Sequence, residues 1–91
     1  MPVEIKGQQL RIRVKSPIKN AIFRTHDVGR RGRLQRIAMF HNGKWETQAW
    51  RLNLSHYQNL NDVKKDLDLI RDISPQIKRK ALALAKQWFS R

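Results

Sequence analysis

The chain has 91 residues, no cysteine, and twenty Lys and Arg against seven Asp and Glu, a formal net charge of +13. This length is that of one small domain, and the missing thiols exclude disulfides and Cys-based zinc sites. The opening MPVEIKGQQL holds no apolar run of signal-peptide length, and no stretch approaches the ~20 apolar residues of a membrane span, so a cytoplasmic protein with no membrane span is expected.

QQLRIRVK alternates Leu10, Ile12 and Val14 with Arg11, Arg13 and Lys15. Period two gives a strand with one apolar and one basic face. Upstream, VEIK alternates as well and either extends this strand or pairs with it across Gly7. Pro17 holds Ser16 extended and interrupts the run. NAIFRTHDV is a second strand candidate, and the two glycines of GRRG suit a turn.

Asn42-Gly43 then lies between two alternating runs, the strongest short-range hairpin signal. A two-residue turn pairs His41 with Lys44 and Phe40 with Trp45. Continued without a bulge, this register puts Ile37 and Met39 on one face with Trp50, Leu52 and Leu54. Arg36, Ala38 and Phe40 fall on the other, with Trp45, Thr47, Ala49 and Arg51. The first face reads as core and the second as aromatic and basic.

Leu60, Val63, Leu67 and Ile70 form one stripe of a helix over about 60–72, with Asn61 as its expected cap and Asp62 in its first turn. Ser74-Pro75 starts a second helix, about 75–89, with Ile77, Ala81, Leu84, Ala85 and Trp88 on one stripe. The fold class is therefore α+β: an antiparallel sheet of three to four strands over about 8–54, followed by two C-terminal helices. One helix is expected to cover Ile37, Met39, Trp50 and Leu52 with Leu60, Val63 and Leu67.

Charge points to the partner. Residues 1–57 carry twelve basic and three acidic residues; residues 58–91 carry eight and four. Such an excess destabilises a compact state by self-repulsion unless counter-charge is supplied, and nucleic acid is the commonest source. The expected contacts are Arg11, Arg13, Arg24, Arg30, Arg31, Arg33, Arg36, Lys44, Trp45 and Arg51. Arginine forks grip phosphates and guanine edges, and an aromatic ring stacks on a base or wedges at a groove. Phe40 and Trp45 as a cross-strand pair also stabilise the hairpin by themselves. Arg31-Gly32-Arg33 resembles the core of an AT-hook in those three residues; Arg30 and Leu34 stand where that motif has prolines. The element order, strands and then a helix, is similar to that of small sheet-reading DNA-binding domains of plant transcription factors and of some phage-type integrases. That similarity implies a sheet laid on duplex DNA, and the second helix is an addition to it.

No catalytic, metal or cofactor site is expected. The three histidines sit in separate elements, and the acids of the first helix alternate with Lys64, Lys65 and Arg71. The expectation is a non-enzymatic nucleic-acid-binding protein, duplex DNA favoured over RNA, in an architectural or regulatory role and compatible with a homodimer. The alternatives are an assembly module for an acidic protein partner, and an RNA-binding protein or small ribonuclease using His26 and Asp27.

Overall fold

The computed structural model describes residues 2–91. Five antiparallel strands, β1 (Val3–Lys6), β2 (Gln9–Arg13), β3 (Ile22–Val28), β4 (Leu34–His41) and β5 (Lys44–Asn53), precede helices α1 (Leu60–Leu67) and α2 (Pro75–Phe89). The sheet order is β1-β2-β5-β4-β3. The architecture is the expected α+β one with a fifth strand, because VEIK pairs back on β2 instead of extending it. Gly7 has φ +63°, a conformation that costs other residues, and lets the chain reverse there.

The Asn42-Gly43 turn has φ +51° and +77°, the all-positive geometry whose twist matches flanking strands. Phe40 pairs with Trp45 and His41 with Lys44, as the sequence predicts. The register then slips. Ala38 faces Thr47 but Ile37 faces Ala49, so Gln48 is an extra residue on β5. Its carbonyl accepts Val14 N at 2.9 Å and Lys15 N at 3.0 Å, and its amide donates to the Lys15 carbonyl at 2.9 Å. The bulge is thus satisfied by the end of β2.

A one-residue shift exchanges faces for everything beyond it. Leu34, Arg36, Ala38 and Phe40 share a face with Leu52, Trp50, Thr47 and Trp45. Ile37 and Met39 lie on the opposite face with Ala49 and Arg51. The expected grouping of Ile37 and Met39 with Trp50 and Leu52 is therefore corrected, and so is that of Arg51 with Phe40 and Trp45.

Both helices pack on the first face. Leu10, Ile12, Leu34, Leu52 and Leu54 are buried against Val63, Leu67, Ile70, Ala81 and Ala85. The alanines let α2 come close to β1 and β2, with which it is in contact. Burying one such leucine contributes roughly 1.5–3 kcal/mol. Asn59 caps α1 by accepting from Asp62 N at 3.0 Å, while Asp62 accepts from Gln58 N at 3.2 Å; Asn61, the expected cap, lies inside the first turn. α1 also ends earlier than the stripe implies. Ile70 is buried, but from a turn in which its N–H donates to the Leu67 carbonyl, and Asp72 further on accepts Trp50 Nε1 at 2.8 Å. That bond holds the linker down on the sheet. Ser74 and Pro75 start α2 as predicted, with the Ser74 hydroxyl accepting from Ile77 N.

Candidate functional site

The face away from the helices carries a row that crosses all five strands. Glu4 on β1 is opposite Arg11 on β2, Arg11 is opposite Arg51 on β5, Arg51 is opposite Gln35 on β4, and Gln35 is opposite Asp27 on β3. Arg51 donates from Nε (3.0 Å) and Nη2 (2.6 Å) to Gln35 Oε1, and Gln35 Nε2 donates to Asp27 Oδ1 at 3.0 Å. Arg11 Nη2 donates to Gln9 Oε1 at 3.2 Å, while its Nε is buried without a hydrogen-bond partner. Neither arginine has a carboxylate within 4.0 Å among the described residues. Like charges directly opposite one another destabilise a strand pair. Exposed Arg13 and Lys6 flank the row on the same face. A cleft of about 240 Å³ opens beside it, lined by Pro2, Pro17, Ile37 and Ala49 together with Arg11 and Arg13.

The loop arginines diverge. Arg31 is 96% exposed and lies 4.0 Å from Asp27, at the end of the row. Arg30 lines a separate cleft with His56, Gln58 and Lys65. Arg33 turns inward with a side chain only 15% exposed. Its Nη2 is 3.9 Å from Asp62, its Nε 3.8 Å from Asp66, and its guanidinium 4.2 Å from the Tyr57 ring centroid. Tyr57 donates to Asp66 at 2.7 Å; burial first, and the adjacent carboxylate second, push its phenol well above the ordinary range. Gly32, at φ +82°, lets the loop close on His56, whose ring lies 3.1 Å from where a Cβ would stand. In this setting Arg31-Gly32-Arg33 presents one exposed arginine, Arg31.

Of the remaining expected contacts, Arg24, Arg36 and Trp45 occupy the helix-side face, beyond the reach of the helices, and Lys44 falls on the opposite face with His41 and Glu46. Arg24, Arg36, Phe40 and Trp45 form a wing at the hairpin tip. The Arg24 guanidinium lies 5.2 Å from the Trp45 centroid, Phe40 is 5.1 Å away on a tilted ring, and Arg36 Nε donates to Thr47 Oγ1 at 2.6 Å. Trp45 is 41% exposed. Lys44, at the tip, lies 3.7 Å from Glu46. Glu46 is the hub there: the Lys15 ammonium at 2.7 Å and His41 at 2.9 Å lower its carboxyl to about 2, from an ordinary 4.5.

Charge accounting separates used from unused groups. Asp27, Glu46, Asp62, Asp66 and Asp72, five of the seven acids, meet donors inside the domain. Lys15, Arg31, Arg33 and Lys44 are the Lys and Arg residues with a carboxylate within 4.0 Å; the other sixteen of the twenty have none among the described residues. His26 and Asp27, adjacent on β3, point to opposite faces. Among the described residues no group of three or more His, Asp or Glu is placed to hold a metal ion, and no helix is long and apolar enough to cross a membrane.

Sequence reasoning missed Gln35, Asp27 and Lys6 as neighbours of the arginines. Alternation from Asn42-Gly43 assigns Gln35 to the core face of an unbulged hairpin, and only the bulge brings it beside Arg51. No protein-family model matches the chain, and neither a curated protein nor a solved structure matches it significantly.

Proposed function

We propose that this protein binds nucleic acid, duplex DNA in preference to RNA, through the sheet face turned away from its helices. The observation that carries the reading is the cross-strand Arg11–Arg51 pair at the middle of that face, flanked by Arg13 and Lys6, with no carboxylate within 4.0 Å of either arginine among the described residues. Buried apolar packing backs the opposite surface, so the arginines stand on a rigid support. Three adjacent strands span about 10 Å, within the roughly 12 Å width of a major groove. The two arginines and Gln35 stand on the three central strands. Arg31 extends the face at one end, and Arg24, Arg36 and Trp45 belong to a second surface that reaches a bent or unpaired segment alongside.

The binding is non-enzymatic and architectural or regulatory in this account. Anisotropy titrations on duplex DNA, single-stranded DNA and structured RNA at several salt concentrations test it. Duplex binding that weakens steeply with salt is expected, and absence of salt-sensitive binding to all three sinks it. Cleavage of the RNA, lost in His26→Ala, would instead carry the ribonuclease reading.

A second copy is the other partner we propose. β3 is an edge strand exposed along most of its length, with Ile22 58% and Phe23 43% exposed, and such an edge is a template for strand pairing. Pairing β3 to β3 would join two basic faces into one. Sedimentation of the wild type and of Phe23→Lys, with and without duplex, tests it; monomers throughout would remove the dimer.

A further inference from the structure

The open sheet face and the outside of α2 point away from each other. α2 packs on β1, β2 and α1 with Ile77, Ala81, Leu84, Ala85 and Trp88 turned to the core. The opposite stripe of the same helix, at i, i+3, i+4, i+7, i+10 and i+11, is Gln76, Arg79, Lys80, Ala83, Lys86 and Gln87, and all six are exposed. Residues 75–91 hold five Lys and Arg and neither Asp nor Glu. Arg79, Lys80 and Lys86 have no carboxylate within 4.0 Å among the described residues. Helix formation does not call for such a stripe. A solvated helix face gains from acids three or four positions from its bases, as where Lys64 and Asp68 stand on α1 and at its cap, and like charges at that spacing cost a little.

We infer that the outward stripe of α2 is a second phosphate-binding surface, and that one copy of this protein bridges two duplex segments, one on the open sheet face and one on α2. The inference rests on the proposed nucleic-acid reading for the first duplex. The molecule measures 42 × 26 × 23 Å. Its shortest dimension is well beyond the ~8 Å over which exposed charges act at physiological salt, so the two surfaces bind independently. A single duplex touching both would have to turn through about 180° around a body this thin, far more than the roughly 40–90° that sites of about 20–30 base pairs accept. Two separate duplexes meet both surfaces without bending. The occupant follows from what the stripe lacks. It has no aromatic or large aliphatic side chain, and the apolar side of α2 is engaged with the core. An interfacial membrane helix needs that apolar side free. A phosphate backbone asks only for exposed cations, with amides such as Gln76 and Gln87 beside them.

A capture experiment tests the bridge. A biotinylated duplex of about 16 base pairs, far below the ~150-base-pair persistence length, is too stiff to fold back onto both faces. It is immobilised and loaded with protein, and a labelled copy of the same duplex is titrated in solution. The wild type should capture the second duplex at roughly 1–100 μM, with a log–log salt slope of about −2.7 for three phosphate contacts. Arg79→Gln, Lys80→Gln and Lys86→Gln, combined, keep helix propensity. They should weaken capture by at least about tenfold, while affinity for a single duplex, read by anisotropy, falls by less than about threefold. Loss of charge in general would weaken both alike. Thermal unfolding of the combined variant checks folding. Phe23→Lys should capture as the wild type does, because one copy suffices. Capture that survives in the combined α2 variant overturns the inference, and its loss in Phe23→Lys would then give the bridge to paired copies. Wild type that binds one duplex and captures no second also overturns it and leaves the proposed function standing, whereas no binding to any duplex sinks both. Flotation with phosphatidylcholine–phosphatidylserine vesicles covers the other occupant: vesicle binding lost in the α2 variant, with capture unchanged, would assign the stripe to a membrane surface instead.

Discussion

Arg33 and Arg51 both leave the sheet as arginines on regular strand-and-turn backbone, and they meet opposite surroundings. At the Arg33 corner the domain supplies two carboxylates and an aromatic face, and the cation ties the β3–β4 turn to α1. At the Arg11–Arg51 row the hydrogen-bond partners are amides, the cross-strand neighbour is a second cation, and Glu4 and Asp27, also in the row, stand beyond 4.0 Å from both arginines. The first arrangement neutralises its cation within the domain, although Arg33 Nε makes no hydrogen bond. The second leaves two cations opposite one another with no carboxylate within 4.0 Å among the described residues, the feature on which the proposed function rests. Arginine content therefore says little about partners until each guanidinium is assigned to one of these two conditions.

The comparison predicts opposite responses to removing the cation. Arg33→Leu leaves Asp62 and Asp66 without their counter-charge and uncovers the Tyr57 ring. It should cost about 2–3 kcal/mol, less than a fully buried pair because the site keeps some solvent. For a domain of this size that lowers Tm by roughly 10–15 °C. Duplex affinity of the folded fraction should change by less than about threefold, a loss of one distant charge. Gly32→Ala strikes the same corner through the backbone. A Cβ at φ +82°, 3.1 Å from the His56 ring, should destabilise by about 1–2 kcal/mol. Both losses are read by thermal or denaturant unfolding.

On the open face the sign should turn. Arg11→Ser and Arg51→Ser, measured singly, should leave stability within about 0.5 kcal/mol or raise it, since each removes a like charge directly opposite another on the neighbouring strand. A loss as large as that of Arg33→Leu would mean that the row is structural, and the contrast between the two sites would vanish.

The smallest effect belongs to the hairpin tip, where Glu46 joins Lys15 and His41. Its folded pKa of about 2 lies below the ordinary 4.5. A carboxyl lowered on folding stabilises above its unfolded pKa and loses that contribution as pH falls through the folded value. The unfolding temperature of the wild type should therefore exceed that of Glu46→Gln at pH 5, with the gap closing between pH 4.5 and 2. A gap that persists at pH 2 would show that Glu46 acts by packing.

Much of the fold was legible because local and long-range preferences agree. Leu10 and Ile12 alternate, Asn42-Gly43 dictates one turn geometry, and Ser74-Pro75 starts α2 where a cap and a preset φ coincide. The faces were not legible. Nothing local marks Gln48 as a bulge: it stands in a run of ordinary strand residues, and its bonds come from Val14 and Lys15, over thirty positions earlier. That one residue moves Ile37 and Met39 off the helix-side face and separates Trp45 from Arg51. The candidate site was legible as a list of arginines and not as a geometry. Arg33 reads like Arg31 in sequence, and only the packing of α1 brings Asp62 and Asp66 to it.

The central claim, that the face carrying Arg11, Arg13 and Arg51 is the polyanion-binding surface, is tested most directly by the salt dependence of duplex binding. About five contacts, from those three with Lys6 and Arg31, predict a log–log slope near −4.5 for the wild type. The triple variant Arg11→Ser, Arg13→Ser, Arg51→Ser should bind far more weakly, with a slope near −2. An unchanged slope and affinity in the triple variant would contradict the account.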